Sequence, residues 1–301
     1  YNVNRESIDP LIAALKAGRQ LKSATVVGTD TRTQTLATLQ QALYGVRERN
    51  RLEGYDSWVN SLSFSPDGEI LVTSSADGMV KLWNRDGKLI YILQGYKDTV
   101  NSVSFSPDGK ILATGSADGK VKLWNIETGK EIRTLLGQKA GITSLSFSPD
   151  GKVIVSGSRD GTVRLWDLNG NQISQPFPVQ EPGVTSISFS PDGQTLATAS
   201  LDGAVRLWNL QGQKLLTIEK FGATISSIRF SPDGQTIATG SSDGTVKLWS
   251  REGQQLEILR GHNRGITSMS FSPDGKILAT ASRDLTVRLW SVEGPDRNQE
   301  E

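Results

Sequence analysis

Six aspartates recur along the chain, each four residues after a hydroxyl side chain and six before a tryptophan, and the last shares its stretch with the single histidine. His262, Thr280 and Asp284 have the residue types of a hydrolase relay, in which a carboxylate orients an imidazole that takes a proton from a hydroxyl nucleophile. Acyl transfer is the chemistry such a set could do. Five further copies of the hydroxyl and carboxylate surround it: Thr73 and Asp77, Thr114 and Asp118, Ser156 and Asp160, Thr198 and Asp202, Thr239 and Asp243. Each Asp stands in a turn and each hydroxyl on a strand, so the repeated set reads as framework. One His and no Cys leave only carboxylates for a metal, and these sit in separate turns, not in one calcium-loop spacing, so no metal site is expected. No Gly-x-x-x-x-Gly-Lys phosphate loop occurs, and no cofactor is implied.

Composition narrows the function classes. The 301 residues are 36% hydrophobic and 22% charged, enough to bury a sizeable core. Lys and Arg total 33 against 32 Asp and Glu, so no general attraction to nucleic acid or an anionic membrane surface follows. The absence of Cys fits a reducing compartment, and a cytoplasmic location is expected. No apolar run reaches the ~18 residues of a membrane span, so membrane insertion is not expected. The chain opens on Tyr1, which suggests a processed or excised piece of something longer.

Repetition sets the architecture. FSPDG occurs at Phe64, Phe105, Phe147, Phe189, Phe230 and Phe271, and a Trp follows each Phe by a fixed offset: Trp83, Trp124, Trp166, Trp208, Trp249 and Trp290. Within a unit, VNSVSFS alternates toward the Ser-Pro-Asp-Gly turn, ILATGS follows, Ala-Asp-Gly turns the chain into KVKLWN, and EIRTLL closes the unit. Four short antiparallel strands per ~40 residues is the period of a propeller blade.

These motifs resemble the WD-repeat β-propellers over about 240 of the 301 residues. The resemblance implies an all-β, six-bladed propeller in which a hydrogen-bonded set of His, hydroxyl, Asp and Trp ties each blade together and does no chemistry. Only Gly261-His262 keeps the family's Gly-His pair, so one complete set is expected: His262, Thr280, Asp284 and Trp290. Tyr55, Tyr96 and Gln138 fill the His place in three other copies.

After Trp290 the chain reads SVEGPDRNQEE, with no apolar fourth strand, whereas Leu52 and Gly54 align with Leu93 and Gly95. Residues 47–53 are therefore expected to supply the missing outer strand and close the ring, which removes exposed sheet edges. The expected organisation is a short two-helix adaptor over 1–46, a propeller over 47–294 and a polar tail over 295–301. The first helix follows Asp9-Pro10, and the second, roughly Thr31 to Arg47, carries Leu36, Leu39, Leu43 and Val46 on one face. Helices running into YGVRERNRLEG resemble the linker ahead of the propeller in cyanobacterial multidomain signalling proteins, including signal-transduction NTPases.

The function expected from the resemblance is a non-catalytic scaffold or sensor module that binds a protein or peptide, with upstream domains of the same parent chain as further candidate partners. An enzyme with its site in the channel and a self-assembling structural module stay as alternatives. In that family contacts often come from the residues flanking the first apolar residue of each blade's first strand and from the residue before the turn Asp, which here marks Trp58, Asn60, Thr99, Asn101, Arg159, Leu201 and Arg283. Trp58 is the one Trp outside the repeat series, and Trp near Arg is a hot-spot composition. If the repeat Trp residues are core, Trp124→Ala or Trp208→Ala costs about 3–5 kcal/mol and Arg283→Ala under about 1 kcal/mol, measured by thermal unfolding of the three variants.

Overall fold

The computed structural model describes residues 52–178, 183–218 and 222–292. Among the described residues 23 strands form six antiparallel sheets, and within each sheet consecutive strands pair. The first blade is β1 (Val59–Phe64), β2 (Ile70–Ser75), β3 (Val80–Asn84) and β4 (Leu89–Leu93). The second is β5 (Val100–Phe105), β6 (Ile111–Ser116), β7 (Val121–Asn125) and β8 (Glu131–Leu135). The third is β9 (Ile142–Phe147), β10 (Val153–Ser158), β11 (Thr162–Asp167) and the two-residue β12 (Phe177–Pro178). The fourth is β13 (Val184–Phe189), β14 (Thr195–Ser200), β15 (Val205–Asn209) and β16 (Lys214–Ile218). The fifth is β17 (Ile225–Phe230), β18 (Thr236–Ser241), β19 (Val246–Ser250) and β20 (Gln255–Leu259). The sixth has three strands among the described residues: β21 (Ile266–Phe271), β22 (Ile277–Ser282) and β23 (Val287–Ser291).

Each blade begins with the same hairpin because each Ser-Pro-Asp-Gly supplies its own hydrogen bonds. The Ser hydroxyl donates to the Asp carboxylate two residues on, at 2.5 to 2.6 Å in all six copies. The same carboxylate accepts the N–H two residues further along, and the Ser oxygen accepts the N–H that opens the second strand. A side chain that satisfies its own turn fixes register locally.

Blades pack face to face. Val72, Val80, Leu82 and Leu93 of the first blade meet Val100, Val103, Phe105, Leu112 and Trp124 of the second, and four more clusters repeat the arrangement around the ring. The approach is close enough to demand small residues on the second strand. A Cβ on Gly157 would come within 2.5 Å of Ile187 and 2.7 Å of Val184, both on the next blade.

The inner strands are also clasped edge to edge. Asn60 donates to the Val100 carbonyl (3.2 Å), Asn101 to Ile142 (2.8 Å), Thr143 to Val184 (2.7 Å), Thr185 to Ile225 (2.5 Å) and Ser226 to Ile266 (2.5 Å). Thr267, next in the series, donates instead to Ala281 within its own blade (3.2 Å). Apolar cover stops at the same place. Phe64 on β1 is 57% exposed and Leu289 on β23 is 69% exposed, whereas Phe105 and Leu248 at equivalent positions are buried. The sixth interface therefore has neither clasp nor apolar cluster among the described residues. The closing strand expected over 47–53 and the adaptor helices lie outside the described residues, apart from Leu52 and Glu53, which are not in a strand.

One turn departs from the rest. After the second Asp of each unit, Gly78, Gly119, Gly161, Gly203 and Gly244 take φ between 75° and 88°, and in the sixth blade Leu285 holds the place at φ 68°. A left-handed non-Gly residue costs about 1–2 kcal/mol, and Leu285, 96% exposed, recovers none of it by burial. Leu285→Gly should raise stability by about 1 kcal/mol, read as a higher midpoint in urea at unchanged slope.

Candidate functional site

The sixth blade assembles His262, Thr280, Asp284 and Trp290 into one chain of hydrogen bonds. His262 Nδ1 lies 2.8 Å from Asp284 Oδ2, Nε2 lies 2.8 Å from Thr280 Oγ1, and the Trp290 indole N–H donates to that same oxygen at 2.8 Å. The carboxylate can only accept, so Nδ1 donates its proton to Asp284 and Nε2 faces the Thr280 hydroxyl. This is the bonding order of a hydrolase relay. Thr280, however, is fully buried in the central strand of its blade, and its oxygen is already taken by the indole. A hydroxyl with no access to a substrate does not attack, and the set ties β22, β23 and the loop carrying His262 together.

Other blades solve the same problem with other side chains. In all six, the repeat Trp donates to the hydroxyl ten residues earlier at 2.8 to 3.0 Å. Tyr55 meets Thr73 at 2.5 Å, Tyr96 bonds Thr114, and Gln138 donates to Ser156 at 2.9 Å, each from the loop position that His262 occupies. Burial pushes the Tyr96 phenol well above its ordinary range, so it stays a neutral partner. In the fourth blade Arg206 donates to Ser200 (2.9 Å) and pairs with Asp202 (2.7 Å).

The proposed contact positions fall at one end of the inner strands. The residue before each turn Asp donates its N–H to the residue that precedes the inner strand: Ala76 to Trp58, Ala117 to Thr99, Arg159 to Gly141, Leu201 to Gly183, Ser242 to Thr224 and Arg283 to Gly265, at 2.8 to 3.1 Å. Six equivalent bonds set these pairs at equivalent places on successive blades. Trp58 is 83% exposed, and Arg159, Leu201 and Arg283 are exposed as well. Asn60 and Asn101 lie just inside, lining the central cavity, each with one side-chain amide N–H committed to the clasps described above. The Thr99 hydroxyl is committed to the Ala76 carbonyl at 3.1 Å.

That cavity, about 540 Å³, is lined by all six inner strands, with serine and threonine predominating. Its charged lining residue is Arg229, on β17. Arg229 lies just outside the repeated FSPDG, which begins one position later at Phe230. The signal was present, since Arg229 stands where the other five units have Ser63, Ser104, Ser146, Ser188 and Ser270.

Comparison with known families matches residues 58–299 to the family described as the IFT122 first β-propeller. The chain belongs to that family. Its WD repeats are similar to those of an uncharacterized WD repeat-containing protein, slr0143, of Synechocystis, 34% identical over 89 residues, 28% of this chain and 8% of the relative. Ribosome assembly protein 4 of Saccharomyces cerevisiae is 49% identical over 41 residues, 13% of this chain and 8% of the relative. The matched parts are thus less than a tenth of each relative's length.

In this propeller the turn carboxylates are held charged. Burial alone would raise Asp202, but Arg206, the Ser200 hydroxyl and the Ala204 N–H outweigh it and hold the carboxyl at about 2. A carboxyl lowered in the folded state contributes stability above its unfolded value near 4 and loses it as pH falls through the folded value. Asp202→Asn should therefore lower the urea midpoint at neutral pH and flatten its decline between about pH 4 and pH 2. An unchanged acid slope would show that Asp202 has no share in it.

Proposed function

We propose that this propeller is a non-catalytic module that binds a protein or peptide segment on the rim carrying Trp58, Arg159, Leu201 and Arg283. The supporting observation is the set of six equivalent backbone bonds that brings these side chains to the same end of the ring while leaving them exposed. A large aromatic, an aliphatic and two guanidinium groups on one rigid rim have the composition of interface hot spots. Asn60, Thr99 and Asn101 serve as polar contacts at the inner edge, through side-chain oxygens whose acceptor capacity the described bonds leave unused. The rigidity follows from the blade framework, so the rim is preorganised and little ordering entropy is lost on binding.

We place the module in the cytoplasm as the sensor or scaffold part of a larger signalling chain, of the kind that the residues leading into YGVRERNRLEG resemble. Upstream domains of such a chain would then be partners of the same rim.

The test is selection of peptides from a displayed random library on the whole chain, followed by titration of the best binder. Trp58→Ala combined with Arg283→Ala should weaken it at least about tenfold, the loss of roughly 1.4 kcal/mol expected of hot-spot residues. Lys152→Ala, in a turn at the other end of the blades, should leave it unchanged. Equal affinity in all variants would place the binding surface elsewhere.

A further inference from the structure

The channel holds one feature that neither the rim nor the framework uses. Arg229 lines both the main cavity and an adjoining space of about 280 Å³, together with Ser63, Ser104, Ser146 and Ser188. Neither lining contains a carboxylate. Among the described residues no ion pair includes Arg229, whereas Arg206 is paired with Asp202 and Arg251 with Asp192. Its hydrogen bond goes to the carbonyl of the residue before it, Ile228, at 2.7 Å. A guanidinium has five N–H donors, so this bond leaves most of its capacity unused among the described residues, on a side chain that lines the channel. Burial lowers the Arg229 pKa, the mark of a cation set in surroundings that do not compensate it. An uncompensated charge in such a place is costly unless an anion joins it.

The walls supply donors in addition. The hydroxyls of Ser63, Ser104, Ser146 and Ser188 sit on successive blades, and their described donor contacts, to neighbouring carbonyls at 3.1 to 3.5 Å, are long. Long bonds of this kind are readily exchanged for a charge-assisted bond to an anion. Hydroxyls from four blades lining the same space as one guanidinium suit a tetrahedral oxyanion, whose oxygens point in four directions, better than a planar carboxylate, which one guanidinium edge satisfies.

We propose that the central channel is an oxyanion-binding site in which Arg229 supplies the charge and the serines around it supply hydroxyl donors, and that it takes a phosphate-type group. The proposal is independent of the rim, since none of its residues is a rim contact.

The experiment is calorimetric titration of the whole chain with inorganic phosphate, with acetate, and with chloride at matched ionic strength. Phosphate is expected to bind and to raise the melting temperature, with acetate at least tenfold weaker and chloride without effect. Arg229→Ser introduces the residue that the other five blades carry at this register, so the fold can accept it, and it should weaken phosphate at least tenfold. Arg229→Lys, which keeps the charge but loses the fork, should retain part of the affinity, and gives a second reading if the serine variant fails to fold. A parallel titration with phenyl phosphate separates sources: exclusion points to the free anion, and binding to a phosphate carried on an organic group. Undiminished phosphate binding by the folded Arg229→Ser variant, acetate binding as tight as phosphate, or stabilisation by phosphate no greater than by chloride would each overturn the proposal.

Discussion

The structure depends on one bond made six times, from an indole N–H, buried in five blades and half-buried in the sixth, to a hydroxyl ten residues back in the chain. A tryptophan brings more apolar surface to a blade interface than any other side chain, but carries a donor that cannot be left dry. Placing Thr or Ser diagonally across from it on the neighbouring strand, two residues from the Trp's own register partner, satisfies the donor without opening the core to water. The same hydroxyl also bonds the loop that enters the blade, and in four blades that loop is pinned through it by His262, Tyr55, Tyr96 or Gln138. Loop geometry on the rim thus descends from a requirement deep in the sheet.

This explains why side chains of such different chemistry hold one position. What is demanded is a planar group able to bond the hydroxyl while lying near the Trp ring, and imidazole and phenol both do so, with centroids 6.1 to 6.3 Å from the indole. The imidazole adds a second nitrogen, and with it a tie to Asp284 that the phenols cannot make. Resemblance to a catalytic relay arises from hydrogen-bond satisfaction alone.

Much of this was legible in the sequence because the repeat is a local code. The Ser-Pro-Asp-Gly hairpin, the alternation in VNSVSFS and the Trp offset each state a local geometry, and six copies agree. The family resemblance carried the identity of the hydrogen-bonded set, and the residues themselves carried its spacing. Relations between blades were harder to read. That Asn60, Asn101 and Thr143 reach the next blade's carbonyl depends on the angle between sheets, which no spacing within a unit encodes. Arg229 was hidden for another reason, since a search for what repeats discards the copy that differs. The strain at Leu285 was visible as a missing glycine, but its φ needed coordinates.

The clasps also have a direction. Each runs from a side chain on one blade to the backbone of the next, so every blade but the first has its inner-strand carbonyl held by its predecessor, and the series ends at Thr267. A row of units coupled only to neighbours behaves as a one-dimensional chain, in which the interior is held from two sides and the ends from one. Among the described residues the first and sixth blades are such ends. Opening would then travel inward from the seam like the fraying of a helix, and the third and fourth blades would exchange their amide hydrogens last.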